Sequence, residues 1–329
     1  MAFRIIGSGM RLGDDHLSRN RLSAQLNIDS NTLATRFGVK ERFWATNQQS
    51  ALTLAADALQ QAFQQANCEW RDIDLLIYAS GTQHQALPYD AAALLHHLSC
   101  PVPIASFDIN STCLSFLTAL DMAQTALIAG RYQRIAIVSS ELASPTTRYQ
   151  EAEVASLFSD GAAAFIIEAS PEGQGLSATN FETHPCGYDY CQIKAGGTGL
   201  NPRQNSYEQL LAASQFEMRG RKLFRHAAKL LPTFVERTLN SAGITLDQLD
   251  AVIPHQASAL ALAKLPKLLR IDAEKISNHI SWLGNQVSAS LPTMLHLQRQ
   301  QYGKNAAGKK VLLVGTAAGL SLGMGVITL

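Results

Sequence analysis

The strongest constraint on this chain of 329 residues is that parts of it recur at one interval. Arg134-Ile135-Ala136-Ile137-Val138 falls on Lys310-Val311-Leu312-Leu313-Val314, 176 residues further on. Asp72-Ile73-Asp74-Leu75-Leu76-Ile77 falls on Gln248-Leu249-Asp250-Ala251-Val252-Ile253, and Ala66-Asn67 on Ala242-Gly243, at the same 176. Short apolar strands resemble one another cheaply, so either match alone carries little. Two at one offset point to a duplicated half. Within each half, short β-branched runs alternate with longer helical patterns, the rhythm of an α/β sheet protein. Strands are expected at 4–9, 74–80, 103–109 and 134–140, with a helix at 51–66 between the first two. In the second half the pattern predicts one long helix over 207–242, a strand at 250–255, a helix at 286–300 and strands at 310–316 and the C-terminus. The Pro/Gly turn at 171–175 is the expected boundary, giving halves 1–172 and 173–329.

Composition narrows the function. With 27 Lys plus Arg against 26 Asp plus Glu, the net charge of +1 supplies no global field to recruit nucleic acid or an anionic membrane. A hydrophobic fraction of 47% with only 16% charged residues excludes a disordered chain. The five cysteines (Cys68, Cys100, Cys113, Cys186, Cys191) show no CxxC spacing and suit neither a disulfide framework nor a zinc site, so reduced thiols and no metal are expected. No stretch has signal-peptide character or the roughly 18 apolar residues of a membrane span, and a cytoplasmic protein is expected. The segment GSGMRLG (7–13) misses dinucleotide-binding spacing by one residue, and phosphate-loop, serine-hydrolase and zinc-protease motifs are absent from the sequence.

The residues with chemical potential lie at strand ends. Cys113 follows the strand at 103–109 and precedes an amphipathic helix that ends at Gly130. A thiol at a helix N-terminus is expected to have its pKa pulled below its free value by the unpaired N–H groups. The competing reading is a small buried hydrophobe. A cysteine nucleophile wants an imidazole, and His255 ends the apolar strand DAVIPH where the chain leaves the sheet. Asn285, after Gly284, sits at the second half's equivalent of the turn before Cys113; on its own it reads more readily as a helix N-cap. The small residues of GTAAGLSLGMG (315–325) let backbone approach a ligand, and a backbone N–H there could complete an oxyanion hole with that of Cys113. The same glycines also suit a plain turn between two strands.

Taken in order along the chain, TRFGVKER (35–42), the Cys113 junction, LFSDGAAA (157–164), IPHQAS (253–258), GNQVSAS (284–290) and GTAAGLSLG (315–323) resemble the β-ketoacyl-ACP synthase III (KAS III) family of the thiolase superfamily. The resemblance implies a thiolase fold of two duplicated α/β halves in a five-layered αβαβα arrangement, acting as a homodimer. It implies that Cys113 accepts the acyl group, with the oxyanion held by backbone N–H groups at Cys113 and around Ala318 and Gly319. His255 and Asn285 would bind a malonyl thioester for decarboxylative Claisen condensation. Acyl-CoA or acyl carrier protein would be the substrates, with no cofactor.

The resemblance also shows departures. Housekeeping members carry Trp where this chain has Thr32 and Arg near its Ala152, the pair that sandwiches the adenine of CoA. A carrier-docking Arg is replaced by Leu260, while Arg36, Arg225, Lys264 and Lys267 remain as contacts for CoA or carrier protein. Leu87 stands where the acyl-pocket floor often has a bulky aromatic. These changes point to a specialised lipid or secondary-metabolite enzyme. The alternative is an acyltransferase or thioesterase that passes the Cys113-bound acyl group to oxygen, nitrogen or water.

Overall fold

The computed structural model describes residues 2–149, 151–170 and 173–329. Its first sheet has the order β1-β7-β6-β4-β5, built from Ala2–Leu12 (β1), Leu75–Ala79 (β4), Ala105–Ile109 (β5), Arg134–Glu141 (β6) and Gly161–Ser170 (β7). Its second has the order β11-β12-β13-β8, from Gly175–Thr183 (β8), Ala251–Pro254 (β11), Lys310–Ala317 (β12) and Ser321–Thr328 (β13). Two short hairpins complete the set: Asp15–Ser18 (β2) with Glu41–Trp44 (β3), and Cys191–Gln192 (β9) with Glu217–Met218 (β10). The helices are Arg19–Leu26 (α1), Ser30–Thr35 (α2), Ala51–Ala66 (α3), Asp90–His97 (α4), Ser115–Ile128 (α5), Ala152–Ala155 (α6), Tyr207–Ala213 (α7), Gly220–Ala242 (α8), Ala259–Leu269 (α9), Ile280–Leu283 (α10) and Ser290–Tyr302 (α11). Among the described residues, no helix is long and apolar enough to cross a membrane.

The repeat seen in the sequence is built into the coordinates. Helix α3 ends on Asn67 with φ +49°, and α8 ends on Gly243 with φ +67°, both left-handed caps. A 3-10 turn follows each, Trp70–Asp72 and Leu246–Gln248. Next come Asp74, whose carboxylate accepts the N–H of Arg134 at 3.0 Å, and Asp250, which accepts that of Lys310 at 2.8 Å. The strands then open in parallel, β4 beside β6 and β11 beside β12.

Burial follows the same register. Leu75, Ile77, Ile135 and Ile137 face the central core, as do Ala251, Ile253, Val311 and Leu313 from the second sheet. Leu76, Tyr78, Ala136 and Val138 face outward under α3 and α4, while Val252, Leu312 and Val314 face α8 and α9. Strands covered on both faces lose the polar alternation and read as continuous apolar runs. Helices α5 and α11 fill the space between the sheets, giving five layers of the thiolase type. The GSG run of β1 has a packing cause: a Cβ on Gly7 would lie 2.2 Å from Ala62 O, and one on Gly9 2.3 Å from Ala58 O. Only glycine lets α3 approach that closely.

Two sequence expectations are corrected, and the second sheet lacks a full counterpart of β5. The helix expected over 207–242 is broken into α7 and α8, because Phe216 leaves the helical path to pack edge-on against Phe158 (5.1 Å) and Met218 pairs with Cys191. The helix expected from 286 begins at Ser290, after a 3-10 turn at Val287–Ala289. The fifth strand of the second sheet shrinks to a single bridge between Val252 and Ile276. Of the expected boundary, Pro171 and Glu172 lie outside the described residues; β7 ends at Ser170 and β8 begins at Gly175.

Candidate active site

Two turns of the same construction lead into the two central helices. In the first, Asn110 Oδ1 accepts the N–H of Thr112 at 2.9 Å and Ser115 Oγ accepts that of Ser111 at 2.9 Å, with Thr112 left-handed at φ +52°. In the second, Asn285 Oδ1 accepts the N–H of Val287 at 2.8 Å and Ser290 Oγ accepts that of Gln286 at 3.0 Å, with Val287 at φ +49°. A left-handed β-branched residue is strained, and the Asn side chain that bonds its N–H holds it there. The equivalence runs at 175 rather than 176, so Asn285 matches Asn110 and Ser288 matches Cys113.

The turns converge on Gly81. A Cβ there would sit 3.0 Å from Val287 Cγ1 and 3.2 Å from both Thr112 Cα and Glu141 Oε1. Glu141, the fully buried last residue of β6, accepts hydrogen bonds from the Gly81 N–H, the Thr82 N–H and hydroxyl, and the Ser288 hydroxyl. One carboxylate therefore joins the halves directly beneath the two turns. Burial raises its pKa, and these donors oppose the rise.

His255 enters from the other side. Its N–H donates to Val314 O at 2.8 Å as the chain leaves β11. Gly315 closes the gap: a Cβ there would lie 2.8 Å from Leu114 Cδ2 and 3.5 Å from His255 Cβ, so the neighbour of Cys113 and the histidine share one glycine. His255 is 4% exposed and its Nδ1 lacks a hydrogen-bond partner among the described residues. Burial lowers its pKa to about 4, which leaves the imidazole neutral at physiological pH.

The backbone N–H groups of Ala318 and of Cys113 itself face the Cys113 sulfur. Ala318 belongs to the tight turn between β12 and β13, and Gly319 beside it has φ +82°, so this segment is at once a hairpin turn and a source of donors. The expectation of a thiol pKa below its free value is overturned. Burial first, then the Glu141 charge, push it up to about 12, and the two backbone donors offset only part of this. The first helical residue of α5 is Ser115, and desolvation outweighs the donors at its entrance.

A cavity of about 660 Å³ runs between α8 and α9 and ends against His255, Gly315 and Thr316. Arg225 and Lys264 line it, joined by Arg221, Lys229 and a single acid, Glu153. Lys264 Nζ sits 4.9 Å from the centre of the Phe224 ring. Two placements differ from expectation. Lys267, on α9, lies outside this lining. Leu87 lies at the surface, 86% exposed on the loop before α4, and not on the floor of an acyl pocket within its own chain. Arg36 lies over Phe37 at 5.3 Å and borders a separate small recess with Leu260 and Glu153. Sequence reasoning missed Glu141, although a charge ending an apolar strand is the signal that selected His255. Among the described residues there is no group of three or more His, Cys, Asp or Glu that could hold a metal ion.

With this geometry in hand, similarity to known proteins is informative. The family profile described as 3-oxoacyl-[acyl-carrier-protein (ACP)] synthase III matches residues 107–185, and its C-terminal counterpart matches residues 239–329. The β-ketoacyl-[acyl-carrier-protein] synthase III of Syntrophomonas wolfei is 29% identical over 323 residues, covering 98% of this chain and 96% of that protein. The crystal structure of 3-oxoacyl-[acyl-carrier-protein] synthase III from Aquifex aeolicus superposes with a TM-score of 0.88 at 26% identity, over 99% of this chain and all of that one. That from Pseudomonas aeruginosa gives 0.87 at 25% identity, over 100% and 98% of the two chains.

Proposed function

We propose, from the premise that this chain is a β-ketoacyl-[acyl-carrier-protein] synthase III-like condensing enzyme of the thiolase superfamily, that Cys113 takes an acyl group from a thioester and surrenders it to a decarboxylating malonyl thioester. The product is a β-ketoacyl thioester. The observation that supports the assignment is the convergence of the Cys113 and Asn285 turns on Gly81, with the neighbour of Cys113 and His255 meeting at Gly315.

The steps follow from the residues. Neutral His255 accepts the Cys113 proton as sulfur attacks the acyl thioester, because a thiol with a pKa near 12 needs a base to react at neutral pH. The tetrahedral oxyanion is held by the N–H groups of Cys113 and Ala318, and the departing thiol takes its proton back from His255. The malonyl thioester then binds with its carbonyl oxygen on the N–H of neutral His255 and on the Nδ2 donors of Asn285, whose Oδ1 is already engaged by Val287. Carbon dioxide leaves, the enolate oxygen is stabilised by those donors, and the carbanion attacks the acyl carbonyl. The Cys113 sulfur departs as thiolate from the second tetrahedral intermediate and takes from water the one proton that decarboxylation consumes.

The cavity between α8 and α9 suits the extended arm of an acyl-CoA or acyl carrier protein, and Arg221, Arg225, Lys229 and Lys264 suit their anionic surroundings. Without the adenine platform at Thr32 and Ala152, a specialised role in lipid or secondary metabolism is favoured over housekeeping initiation. The reaction as drawn uses the two thioesters and no cofactor, in the cytoplasm. The functional halves are 1–172, bearing Cys113, and 173–329, bearing His255 and Asn285. A second copy is expected to pair along β5, an edge strand that exposes Phe107 at 40% and lies beside Tyr89 of the Leu87 loop. In that arrangement Leu87 would reach the partner's acyl pocket.

The test is intact-protein mass spectrometry of wild type and Cys113→Ala, with a panel of acyl-CoAs and acyl carrier proteins followed by a malonyl-thioester chase. Adducts that require Cys113 and leave as β-ketoacyl product are expected. Adducts that persist through the chase and leave only with water, an alcohol or an amine would refute condensation.

A further inference from the structure

One buried ionic group remains outside this chemistry. Arg42, on β3, is 1% exposed, yet its hydrogen bonds run to backbone carbonyls and not to a carboxylate. Nε donates to Ser156 O at 2.9 Å; one terminal nitrogen donates to Ile280 O and Ser281 O, each at 3.1 Å, and to Glu41 O at 2.7 Å. Burial unopposed by a bonded carboxylate lowers its pKa to about 9. A cation buried at this cost is retained for what it holds in place.

What it holds is the seat of Asn285. The Ser156 carbonyl opens the segment that receives Asn285: the Asn285 N–H donates to Leu157 O at 3.0 Å, and the Ser159 N–H donates to Asn285 O at 3.0 Å. The Ile280 and Ser281 carbonyls belong to α10, which delivers the chain to Gly284. Gly284 lies directly over the guanidinium stem. Its φ is +68°, and a Cβ on it would sit 2.7 Å from Arg42 Cδ and 2.8 Å from Nε. The same β3 strand fixes the far side, through Phe43 N–H to Ser159 Oγ and Trp44 Nε1 to Phe158 O, both at 3.1 Å. The segments that flank and pair with the Asn285 backbone are thus tied to Arg42 and the next two residues of β3. Among the described residues, nothing comparable joins Arg42 to the turn of Cys113.

We propose that Arg42 is a positioning residue for the decarboxylating half of the reaction: by clamping the carbonyls of Ser156, Ile280 and Ser281 under Gly284, it sets where the Asn285 amide points. This rests on the role given to Asn285 above. Arg42 touches no substrate. Its loss should spare acylation of Cys113 and impair release of carbon dioxide, whereas a general structural role would weaken both.

The experiment compares Arg42→Lys, Gly284→Ala and, as the reference for a missing amide, Asn285→Ala. Gly284→Ala pushes on the same contact from the opposite side without removing the cation. Each folded variant is assayed for Cys113 acylation by intact mass and, after acylation, for carbon dioxide release from a malonyl thioester. A displacement near 1 Å of a positioned group costs roughly a hundredfold in rate. That loss is expected in decarboxylation for Arg42→Lys and Gly284→Ala, with acylation close to wild type. Equal losses in both half-reactions, or decarboxylation at the wild-type rate, would overturn the proposal. If Arg42→Lys does not fold, Gly284→Ala decides on the same criteria. A wild type that acylates but releases no carbon dioxide would overturn the condensing assignment and this inference together.

Discussion

Replacing Glu141 by Gln isolates the electrostatics of the nucleophile. The Cys113 thiol is raised from 9.0 to about 12, which corresponds to about 4 kcal/mol disfavouring the thiolate. Burial is the largest cause and Glu141 the second, with Cys191 behind it, so Glu141 supplies less than half of the rise. Removing its charge should lower the thiol pKa by about one unit, or roughly tenfold more thiolate at neutral pH. The amide cannot accept all the donors that now meet the carboxylate, and the unmatched pair should cost about 1–3 kcal/mol of stability. The assay is iodoacetamide alkylation of Cys113 across pH 6 to 10, read by peptide-resolved mass spectrometry because Cys186 is exposed and reacts independently. Wild type should react faster with each pH unit and reach no plateau. The variant should trace a parallel line about tenfold higher. A wild-type plateau near neutral pH would show that the helix entrance, not burial, governs the thiol. A folded Glu141→Gln protein that alkylates no faster would show that the Glu141 charge does not reach the sulfur.

Two further outcomes are expected. His296 on α11 is buried against Ser8 and its pKa is lowered to about 4 by burial. The unfolded chain, with an imidazole near 6.5, therefore takes up that proton first, and stability is lost as pH falls from about 6.5 towards 4. Between pH 7 and 5 this one group should cost about 2 kcal/mol, and urea unfolding of His296→Gln should lack that part of the loss; identical pH slopes would refute the assignment. On the proposed pairing of two copies along β5, Phe107→Glu places a charge on an exposed apolar strand position and should shift that dimer to monomer on size-exclusion chromatography with light scattering. An unchanged mass would remove β5 from the dimer interface.

Much of the architecture was legible because strands covered on both faces advertise themselves as apolar runs, and a duplication repeats them at a fixed step. Leu75 to Ala251 and Arg134 to Lys310 open paired strands at the interval found in the sequence. The step slipped to 175 at the functional turns because the second half reduces its fifth strand to Ile276 and inserts α10, a change of path that leaves no compositional mark. The helix over 207–242 misled because periodicity cannot register one aromatic, Phe216, turning aside to meet Phe158. Cys113 and His255 were visible as reactive types at strand ends. Arg42 was not: a charged residue in a short strand reads as surface, and only the coordinates reveal four carbonyls collected around it.

The paired turns suggest how one backbone solution came to serve two half-reactions. In both copies an Asn holds a left-handed residue by its N–H, and the Ser that opens the following helix takes up the N–H of the residue after that Asn. The backbone is thereby fixed without using the side chain at the remaining position, which is Cys113 in one copy and Ser288 in the other. On the proposed mechanism the first is left free to react, because its oxyanion donors come from main chain at Cys113 and Ala318 and need no particular side chain nearby. The second is spent on structure, its hydroxyl given to Glu141 beneath the first turn. Asn110 and Asn285 diverge in the complementary sense. Asn110 donates Nδ2 to Gly81 O at 3.3 Å, closing the turn on the first half, whereas Asn285 has its Oδ1 committed and its donors left to serve a substrate carbonyl. Two rigid turns thus face one another across Gly81, and on the proposed mechanism the exchange of a few side chains divides acyl capture from enolate stabilisation between them.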